Sequence, residues 1–203
     1  MEIKRPLLLI SNDDGYAAKG IRELVKMALA ELCPRRPDMV IGGINHGDNA
    51  SVNAHYSGTM GVTIEGCMKY IPSVAFSLCD HDENADLEPL RPYIQTITQR
   101  VLADGLPKGV CLNVNFPSLH SDPIYHGVKV CRMAKGTWDS EVTRCHHPRG
   151  YDYWWMMGHY TNDEPEAEDT DRWALSHGYV AITPTQVDVT AYTALDLIKN
   201  WNL

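Results

Sequence analysis

The sequence lacks the features that mark membrane, secreted and nucleic-acid-binding proteins. Its start, Met1 to Pro6, has no basic-then-apolar signal pattern, and the apolar run that follows, Leu7 to Ile10, is far too short to span a bilayer. A formal net charge of -8 gives no basic surplus for a nucleic-acid polymer. The 6 cysteines are spread through 203 residues, a length that folds without disulfides. We therefore expect free thiols, a cytoplasmic location, and neither a membrane nor a nucleic-acid polymer as partner.

Several catalytic signatures are absent as well. The chain has no Gly-x-Ser-x-Gly elbow and no Ser-His-Asp order. The neighbouring aspartates Asp13 and Asp14 do not have the Asp-x-Asp spacing of aspartate-nucleophile phosphatases, which disfavours a phospho-aspartyl mechanism at this pair. Adjacent residues such as Cys145-His146-His147 cannot easily all reach one zinc ion, so a surface turn before Pro148 is the preferred interpretation. The acidic segment 163–171 lacks the glycine and ligand spacing of a calcium loop, and we predict a solvated loop.

What the chain does contain is an alternation of strand and helix patterns. Short apolar runs predict strands at Leu7–Ile10, Asp38–Ile44, Ser73–Leu78, Val110–Phe116 and Tyr179–Thr183. Helical spacing of apolar residues predicts helices at Ile21–Leu32, at Pro92–Leu102 and at Ala191–Trp201, with a shorter helix from Ser57 through Glu65. This alternation predicts an α/β fold with an open, mostly parallel sheet and right-handed crossovers.

The segment from Tyr125 to Tyr160 differs, because it has short alternating runs and no helical pattern. We predict an extended β-hairpin that carries Trp138, Trp154 and Trp155; core packing and an oligomer interface remain equal alternatives for these tryptophans. We therefore expect an α/β core (1–120), a hairpin or oligomerisation extension (121–175), and a final core strand with a C-terminal helix (176–203).

Two loops after predicted strands carry candidate metal ligands. Asp13 and Asp14 follow the first strand, and adjacent carboxylates are best tolerated where a cation neutralises them. On this pair alone, helix capping is slightly the better interpretation. Asn45 and Asn49 follow the second strand, and ligands of open α/β sheets bind where such loops converge. Oxygen ligands of this kind suit Mg²⁺, Mn²⁺ or Ca²⁺.

A third segment offers a phosphate site. Tyr56-Ser57-Gly58-Thr59 opens a predicted helix, where hydroxyls and free backbone N–H groups form an anion cradle. Ordinary Ser/Thr capping is the alternative. His46 and His55 lie in these loops and could contact phosphate, although a structural role is equally plausible. Cation ligands beside an anion cradle predict phosphoryl chemistry.

These segments together resemble the SurE family, the stationary-phase survival proteins that act as nucleotide 5′/3′-phosphatases. The match runs in order over nearly the whole chain. It comprises Ser11-Asn12-Asp13-Asp14-Gly15, Pro37-Asp38, Gly43-Ile44-Asn45 with Gly47 and Asn49, Tyr56-Ser57-Gly58-Thr59 with Glu65-Gly66, and the late strand Gly178 to Pro184.

The resemblance implies a Rossmann-like core with a hairpin extension and a swapped C-terminal segment, assembled as a homodimer or homotetramer. It implies a 5′-nucleotidase, or acid-phosphatase-like hydrolase, that needs one divalent cation (Mg²⁺ or Mn²⁺, with Ca²⁺ possible in crystals) and cleaves nucleoside 5′/3′-monophosphates. The residues that match functional positions of the family are Asp13, Asp14 and Asn45 for the metal, Asp13 and Asp14 for catalysis, and Asn12, Asn49, Ser57, Gly58 and Thr59 for the phosphate.

One departure from the family concerns the segment after the first helix. Family members carry several dozen residues there, including a strand, a serine that is the fourth protein ligand of the metal, and a loop near the substrate base. Here Pro34-Arg35-Arg36-Pro37 follows the helix end near Cys33 directly, and no residue matches the serine. Either a segment of the natural protein is missing, or the chain is a shortened, catalytically impaired member that acts as an oligomeric binding module. The first explanation is favoured, because losing a strand would leave the first helix uncovered.

Overall fold

The structure, a computed structural model, describes residues 5–11, 27–120 and 124–201. The strands within these ranges are β1 (Leu8–Ser11), β2 (Met39–His46), β3 (Ser73–Leu78), β4 (Val110–Phe116), β5 (Val128–Val130), β6 (Gly136–Asp139), β7 (Val142–His146), β8 (Asp152–Met156), β9 (His159–Asn162) and β10 (Val180–Gln186). The α-helices are α1 (Gly58–Met68), α2 (Arg91–Asp104), α3 (Asp171–Ser176) and α4 (Leu195–Lys199).

Six of these strands form one central sheet in the order β1-β2-β3-β4-β10-β5. Strands β1 to β4 are parallel to one another, β10 runs antiparallel to β4, and β5 is parallel to β10. All six residues of β3 are buried, as expected for a central strand covered on both faces. The predicted open, mostly parallel α/β sheet is confirmed, and β3 and β4 have the predicted limits.

Helix α1 begins where the sequence indicates and packs closely on β2. Ser57 caps it, because its side chain accepts a hydrogen bond from the Met60 N–H at 3.0 Å. A Cβ atom on Gly42 would lie only 2.6 Å from the carbonyl oxygen of Thr59, so this glycine permits the close contact. The helix runs to Met68, past the predicted end at Glu65.

The two later helix predictions have different outcomes. Helix α2 matches the predicted range 92–102 with one or two more residues at each end. The predicted C-terminal helix at 191–201 is shorter than expected, because it consists of a 3₁₀ turn at Tyr192–Ala194 followed by the five-residue α4. Its apolar side chains Leu197 and Trp201 are exposed. Without packing against an apolar face, a short helix gains little stability.

The predicted hairpin extension is present and consists of two consecutive ladders. Strand β6 pairs with β9, and β7 pairs with β8, both antiparallel. Met157 N–H donates to the Glu141 carbonyl at 2.9 Å and joins the two ladders. Trp154 and Trp155 are 63% and 60% exposed, so core packing within the chain does not describe these two residues.

Two elements inside the proposed extension, 121–175, belong to the core in the structure. Strand β5 joins the central sheet beside β10. Helix α3 buries Ala174 against Cys131 and Ala181 of the core. The arm that stands apart from the sheet therefore comprises β6 to β9, because these strands pair only with one another among the described residues.

The acidic segment at 163–171 is largely exposed, as predicted for a solvated loop, and ion pairs also hold it in place. Arg132 binds both carboxylate oxygens of Glu164, at 2.8 and 3.1 Å, and donates from Nε to Asp169 at 2.8 Å. These bonds to Arg132, followed by the Lys135 backbone N–H, lower the pKa of Glu164 to about 2. Asp171 is fully buried. The sequence does not reveal these ion pairs, because Arg132 lies about 30 residues before its partner Glu164 in the chain.

The junction after Cys33 is closed by two arginines. Strand β1 pairs directly with β2, and Asp38 accepts from the Leu7 N–H and from Arg35, both at 2.8 Å. Arg36 donates to the Tyr70 carbonyl at 3.0 Å. Leu32 is 75% exposed, as expected for a helix end that nothing in the described chain covers. The short connection is thus geometrically possible but leaves apolar surface open.

The cysteines are unpaired, and the described residues hold no cluster of metal-binding side chains. All 6 cysteines lie in described residues and are free. His146 and His147 lie directly before the turn at 148–150, with His146 bonded to Asp152 at 2.9 Å and His147 stacked on Tyr151. Among the described residues, no three His, Cys, Asp or Glu side chains cluster as metal ligands. None of the described helices is long and apolar enough to cross a membrane.

Candidate active site

The end of β2 bends at a glycine and turns Asn45 toward the carboxyl edge of the sheet. The register of β2 against β3 shifts between Gly42 and Asn45. Gly43 has a φ of 109°, and a Cβ atom there would lie 2.2 Å from the Phe76 carbonyl oxygen. After this bulge Asn45 pairs with Ser77 in register, and its Nδ2 donates to the Gly47 carbonyl at 2.9 Å. The Oδ1 atom of Asn45 is then the acceptor that the side chain can offer to a cation.

Asn49 is buried in a network of amide groups at the ends of three strands. Its Nδ2 donates to Ser77 Oγ at 2.6 Å, and its N–H donates to Asn115 Oδ1 at 2.8 Å. Asn113 Nδ2 in turn donates to the Asn49 carbonyl at 2.7 Å, and Asn115 Nδ2 donates to Asn113 Oδ1. Such a fully paired network fixes the position of the loop after β2.

The start of α1 lies beside this loop. The Met60 N–H binds the Ser57 side chain, and the Gly61 N–H binds the Ser57 carbonyl. The N–H groups of Gly58 and Thr59 precede the first bond within the helix, so they are the ones available to an anion. The Thr59 Oγ1 atom is buried and has no hydrogen-bond partner in the described part of the chain.

The loop after β2 and the start of α1 border the same cavity, which has a volume of about 1100 Å³. Asn45, Asn49, Ser57 and Gly58 line its sheet side. The hairpin arm supplies the opposite side, with residues that sequence reasoning did not assign to the site: Trp138, Glu141, Met156, Met157, Gly158 and Tyr160. Thr59 is not among the residues that line the cavity. The site is therefore polar where the strands end and largely apolar on the arm.

Charges at the cavity are largely paired. Asp48 accepts from Arg172 at 2.9 Å, and both side chains are about one fifth exposed. Burial, reinforced by the nearby Asp48 carboxylate, raises the pKa of the Cys79 thiol well above its usual value. A neutral thiol is a poor nucleophile, so Cys79 does not suggest covalent catalysis. His46 and His81 also line the cavity, whereas the exposed His55 does not.

Asn12, Asp13 and Asp14 lie outside the described residues. Strand β1 ends at Ser11, which pairs in register with Gly42 of β2. The described residues around the cavity fit a hard cation, because Asn45 offers an amide oxygen and no soft ligand cluster is present among them. They do not form a complete ligand set by themselves, so the two aspartates would be required.

Some residues at or next to the cavity carry a recognisable signal in the sequence, and others carry none. Asn113 and Asn115 alternate in an otherwise apolar strand, and this alternation is a signal that places both on one face. Trp138, Tyr160 and Arg172 gave no comparable signal, because their partners near the site are far away in the chain.

The fold and the cavity define an open α/β protein with an oxygen-rich, anion-suited site at the carboxyl edge of a parallel sheet. The family model for survival protein SurE matches residues 23–140. A 5′-nucleotidase SurE from Phocaeicola vulgatus is 47% identical over 100% of this chain and 99% of its own length. A second, from Bacteroides thetaiotaomicron, is 43% identical over 99% of this chain and 98% of its own length. The chain belongs to the SurE family.

A solved structure agrees with this assignment. The crystal structure of the SurE protein from Aquifex aeolicus superimposes with a TM-score of 0.73 at 29% identity, covering 96% of this chain and 98% of that one. The alignment with the Phocaeicola relative spans 258 positions against 203 residues here, so at least 55 positions of that alignment have no counterpart in this chain. The shortfall is internal, since nearly all of both chains is aligned.

Proposed function

We propose that this protein is a metal-dependent 5′-nucleotidase that hydrolyses nucleoside 5′- or 3′-monophosphates to nucleoside and phosphate. The observation that carries the proposal is that Asn45 and the start of α1 line the same cavity, so a cation ligand and an anion cradle face one space. Relatives at 43 to 47% identity carry the name 5′-nucleotidase SurE. Family membership and the cavity thus support the same activity.

Each predicted site residue would have a role that depends on its position in the fold. Asp13 and Asp14, two and three residues beyond the end of β1, would hold the cation together with the Asn45 amide oxygen, and one aspartate would orient the attacking water. When bound, a divalent cation polarises phosphoryl oxygens and lowers the pKa of water. The Gly58 and Thr59 N–H groups would stabilise charge on the phosphoryl oxygens in the transition state. Asn12, Asn49 and Ser57 would line the phosphate, and the arm would exclude water.

The cofactor in this proposal is one Mg²⁺ or Mn²⁺ ion, and Ca²⁺ could replace it in crystals because it prefers the same oxygen ligands. The location is the cytoplasm, a proposal that the free state of all 6 cysteines supports. A small monophosphate is an acceptable substrate for a chain of net charge -8, since the cation supplies local positive charge.

A hydrolysis assay tests the function. Purified protein should release phosphate from nucleoside monophosphates with Mn²⁺ or Mg²⁺, and excess EDTA should abolish the release. Asn45→Ala should raise the metal concentration for half-maximal activity about tenfold or more, because one oxygen ligand is lost. The matched control Asn84→Ala, in an exposed loop, should behave as the wild type. Full activity in EDTA or in Asp13→Asn would refute the proposal.

We also propose that the chain assembles as a homodimer or homotetramer through its exposed apolar surfaces. The arm exposes Trp154, Trp155 and Met156, and the C-terminal segment exposes Leu197 and Trp201. Contiguous exposed apolar residues of this size mark interaction surfaces. A second copy of the chain is the proposed occupant, because the family forms such assemblies.

A second candidate function rests on the 55 unmatched alignment positions. If the natural protein also lacks them, the chain would be a catalytically impaired member that serves as an oligomeric binding module. Intact mass of the natural protein distinguishes the two cases: 22.8 kDa favours the shortened form, and a value about 6 kDa higher would restore the complete enzyme, since a residue contributes roughly 0.11 kDa. Metal-dependent hydrolysis by the 203-residue chain would refute the module.

A further inference from the structure

We propose that Trp138 and Asn53 are positioning residues for the reaction: together they fasten the hairpin arm to the loop that joins β2 to α1. The inference rests on the proposed function and concerns how its geometry is maintained. The contact that carries it is a hydrogen bond of 2.7 Å from Trp138 Nε1 to Asn53 Oδ1, which joins residues 85 positions apart.

Asn53 is held at both ends of its amide. Its Oδ1 accepts from Trp138, and its Nδ2 donates to Asp48 Oδ1 at 3.0 Å. A flip of the amide would place donor against donor and acceptor against acceptor, so both bonds would be lost together. The orientation of the Asn53 amide is therefore determined by Asp48, which follows β2, and by Trp138 of the arm.

The connection closes into a ring of five side chains. The Trp138 ring contacts Tyr160 edge to face, with 6.3 Å between centroids. The Arg172 guanidinium lies 4.3 Å from the Tyr160 ring centroid and pairs with Asp48 at 2.9 Å. We call Asp48, Asn53, Trp138, Tyr160 and Arg172 the Asp48 ring. It joins the loop between β2 and α1 to α3 and to both strands of the β6–β9 ladder of the arm.

The Asp48 ring spans the part of the loop that lacks sheet or α-helix bonds. Asn49 is anchored to β4, and Ser57 is anchored as the cap of α1. Between them only a 3₁₀ helix, Ser51–His55, gives regular structure. The start of this helix is held by Ser51, whose N–H donates to Asp171 at 2.8 Å and whose Oγ donates to the Ala134 carbonyl at 2.8 Å and lies 2.6 Å from the Tyr160 hydroxyl. Beyond Ser51, the Asp48 ring adds the contact of Asn53 with Trp138. Releasing this stretch would let the start of α1 move relative to Asn45, and displacements near 1 Å reduce turnover strongly.

The test compares Trp138→Phe, which keeps an aromatic ring but removes the N–H donor, with the matched control Trp155→Phe on the exposed face of the arm. We expect Trp138→Phe to lower kcat about tenfold and to leave KM within about twofold, because the loss of a partly buried hydrogen bond is of this size and acts on alignment. Asn53→Ala should have a similar effect. The double variant should be no slower than the slower single variant, since both single changes remove the same Trp138–Asn53 hydrogen bond.

A readout that needs no activity separates this inference from the proposed function. Hydrogen–deuterium exchange of residues 49–57 should rise in Trp138→Phe and stay unchanged in Trp155→Phe. An unchanged kcat, additive effects in the double variant, or unchanged exchange would each overturn the inference. If the wild type shows no metal-dependent hydrolysis, the proposed function fails, and the exchange experiment still decides whether the Asp48 ring holds the loop.

Discussion

Gly43 determines where the last residues of β2 point. Its positive φ is unfavourable for residues with a Cβ atom, and the Phe76 carbonyl oxygen occupies the place of that atom. The bulge brings Asn45 into register with Ser77 and so toward the cavity. A single backbone position thus controls the direction of a proposed metal ligand.

We predict that Gly43→Ala lowers the free energy of unfolding by about 2 to 4 kcal/mol, because backbone strain and a close contact with backbone add up. Gly105→Ala is the matched control: Gly105 also has a positive φ, 73°, but a Cβ atom there meets nothing within 4 Å. Urea unfolding of both variants measures the difference. Equal losses in the two variants would show that the contact with Phe76 contributes nothing.

At this scale the sequence allowed part of the site to be predicted. Asn45, Asn49, Ser57 and Gly58 could be placed in one cavity because each follows or begins a regular element, and strand ends of a parallel sheet converge. Trp138 and Arg172 could not, since 85 and 124 residues separate them from their partners in the loop. Pairing over such distances leaves no periodic pattern in the chain.

Among the elements, the segment between β9 and α3 is held by ion pairs to two cations, Arg132 and Lys135. Arg132 bridges Glu164 and Asp169, and Lys135 donates its backbone N–H to Glu164 at 2.9 Å. The segment leads to Thr170, which caps α3, and to the buried Asp171. The ion pairs therefore stabilise the approach to the helix that carries Arg172.

We predict a pH effect with a definite sign for this segment. The folded-state pKa of Glu164 lies near 2, below its ordinary value of 4.5, so its contribution to stability is present above pH 4.5 and is lost as pH falls toward 2. In Glu164→Gln, the free energy of unfolding should fall less steeply over this range. Glu166→Gln, which removes a neighbouring carboxylate outside these ion pairs, is the control. Identical slopes in both variants would contradict the assignment.

The elements show the same division between local and distant information. Strands β3 and β4 were predicted with their observed limits, because continuous apolar runs report burial directly. The C-terminal helix was predicted too long, since its apolar residues satisfy helical spacing but remain exposed in the single chain. Periodicity reports which face is apolar, and it does not report what covers that face.

For the whole molecule, the exposed apolar surface lies on the arm and in the C-terminal segment. Trp154 and Trp155 lie on the β7–β8 ladder of the arm, whereas Trp138, which contacts Asn53, lies on the β6–β9 ladder. An assembly through these tryptophans would stabilise the arm without disturbing the Asp48 ring. The proposed oligomer formation and the proposed loop positioning would thus be separable by mutation.

We predict that the double variant Trp154→Ser/Trp155→Ser has a lower oligomer mass by light scattering than the wild type, because two large apolar side chains leave the interface. Activity per chain should fall less than in Trp138→Phe. The control Tyr70→Ser removes an exposed aromatic residue that lies outside the arm and the C-terminal segment, and it should leave the oligomer mass unchanged. A wild-type chain that is monomeric at micromolar concentration would contradict the proposal.

The antiparallel orientation of β10 has a practical consequence for handling the protein. Because β10 runs against β4, it ends at Gln186 beside Val110, at the edge of the sheet opposite the cavity. The Val187 N–H donates to the Gly109 carbonyl at 3.0 Å and keeps the chain at that edge as it leaves the sheet. A linker inserted directly after β10 would therefore leave from the side remote from the cavity. An insertion at the β7–β8 turn would instead add residues to the arm, which lines one side of the cavity.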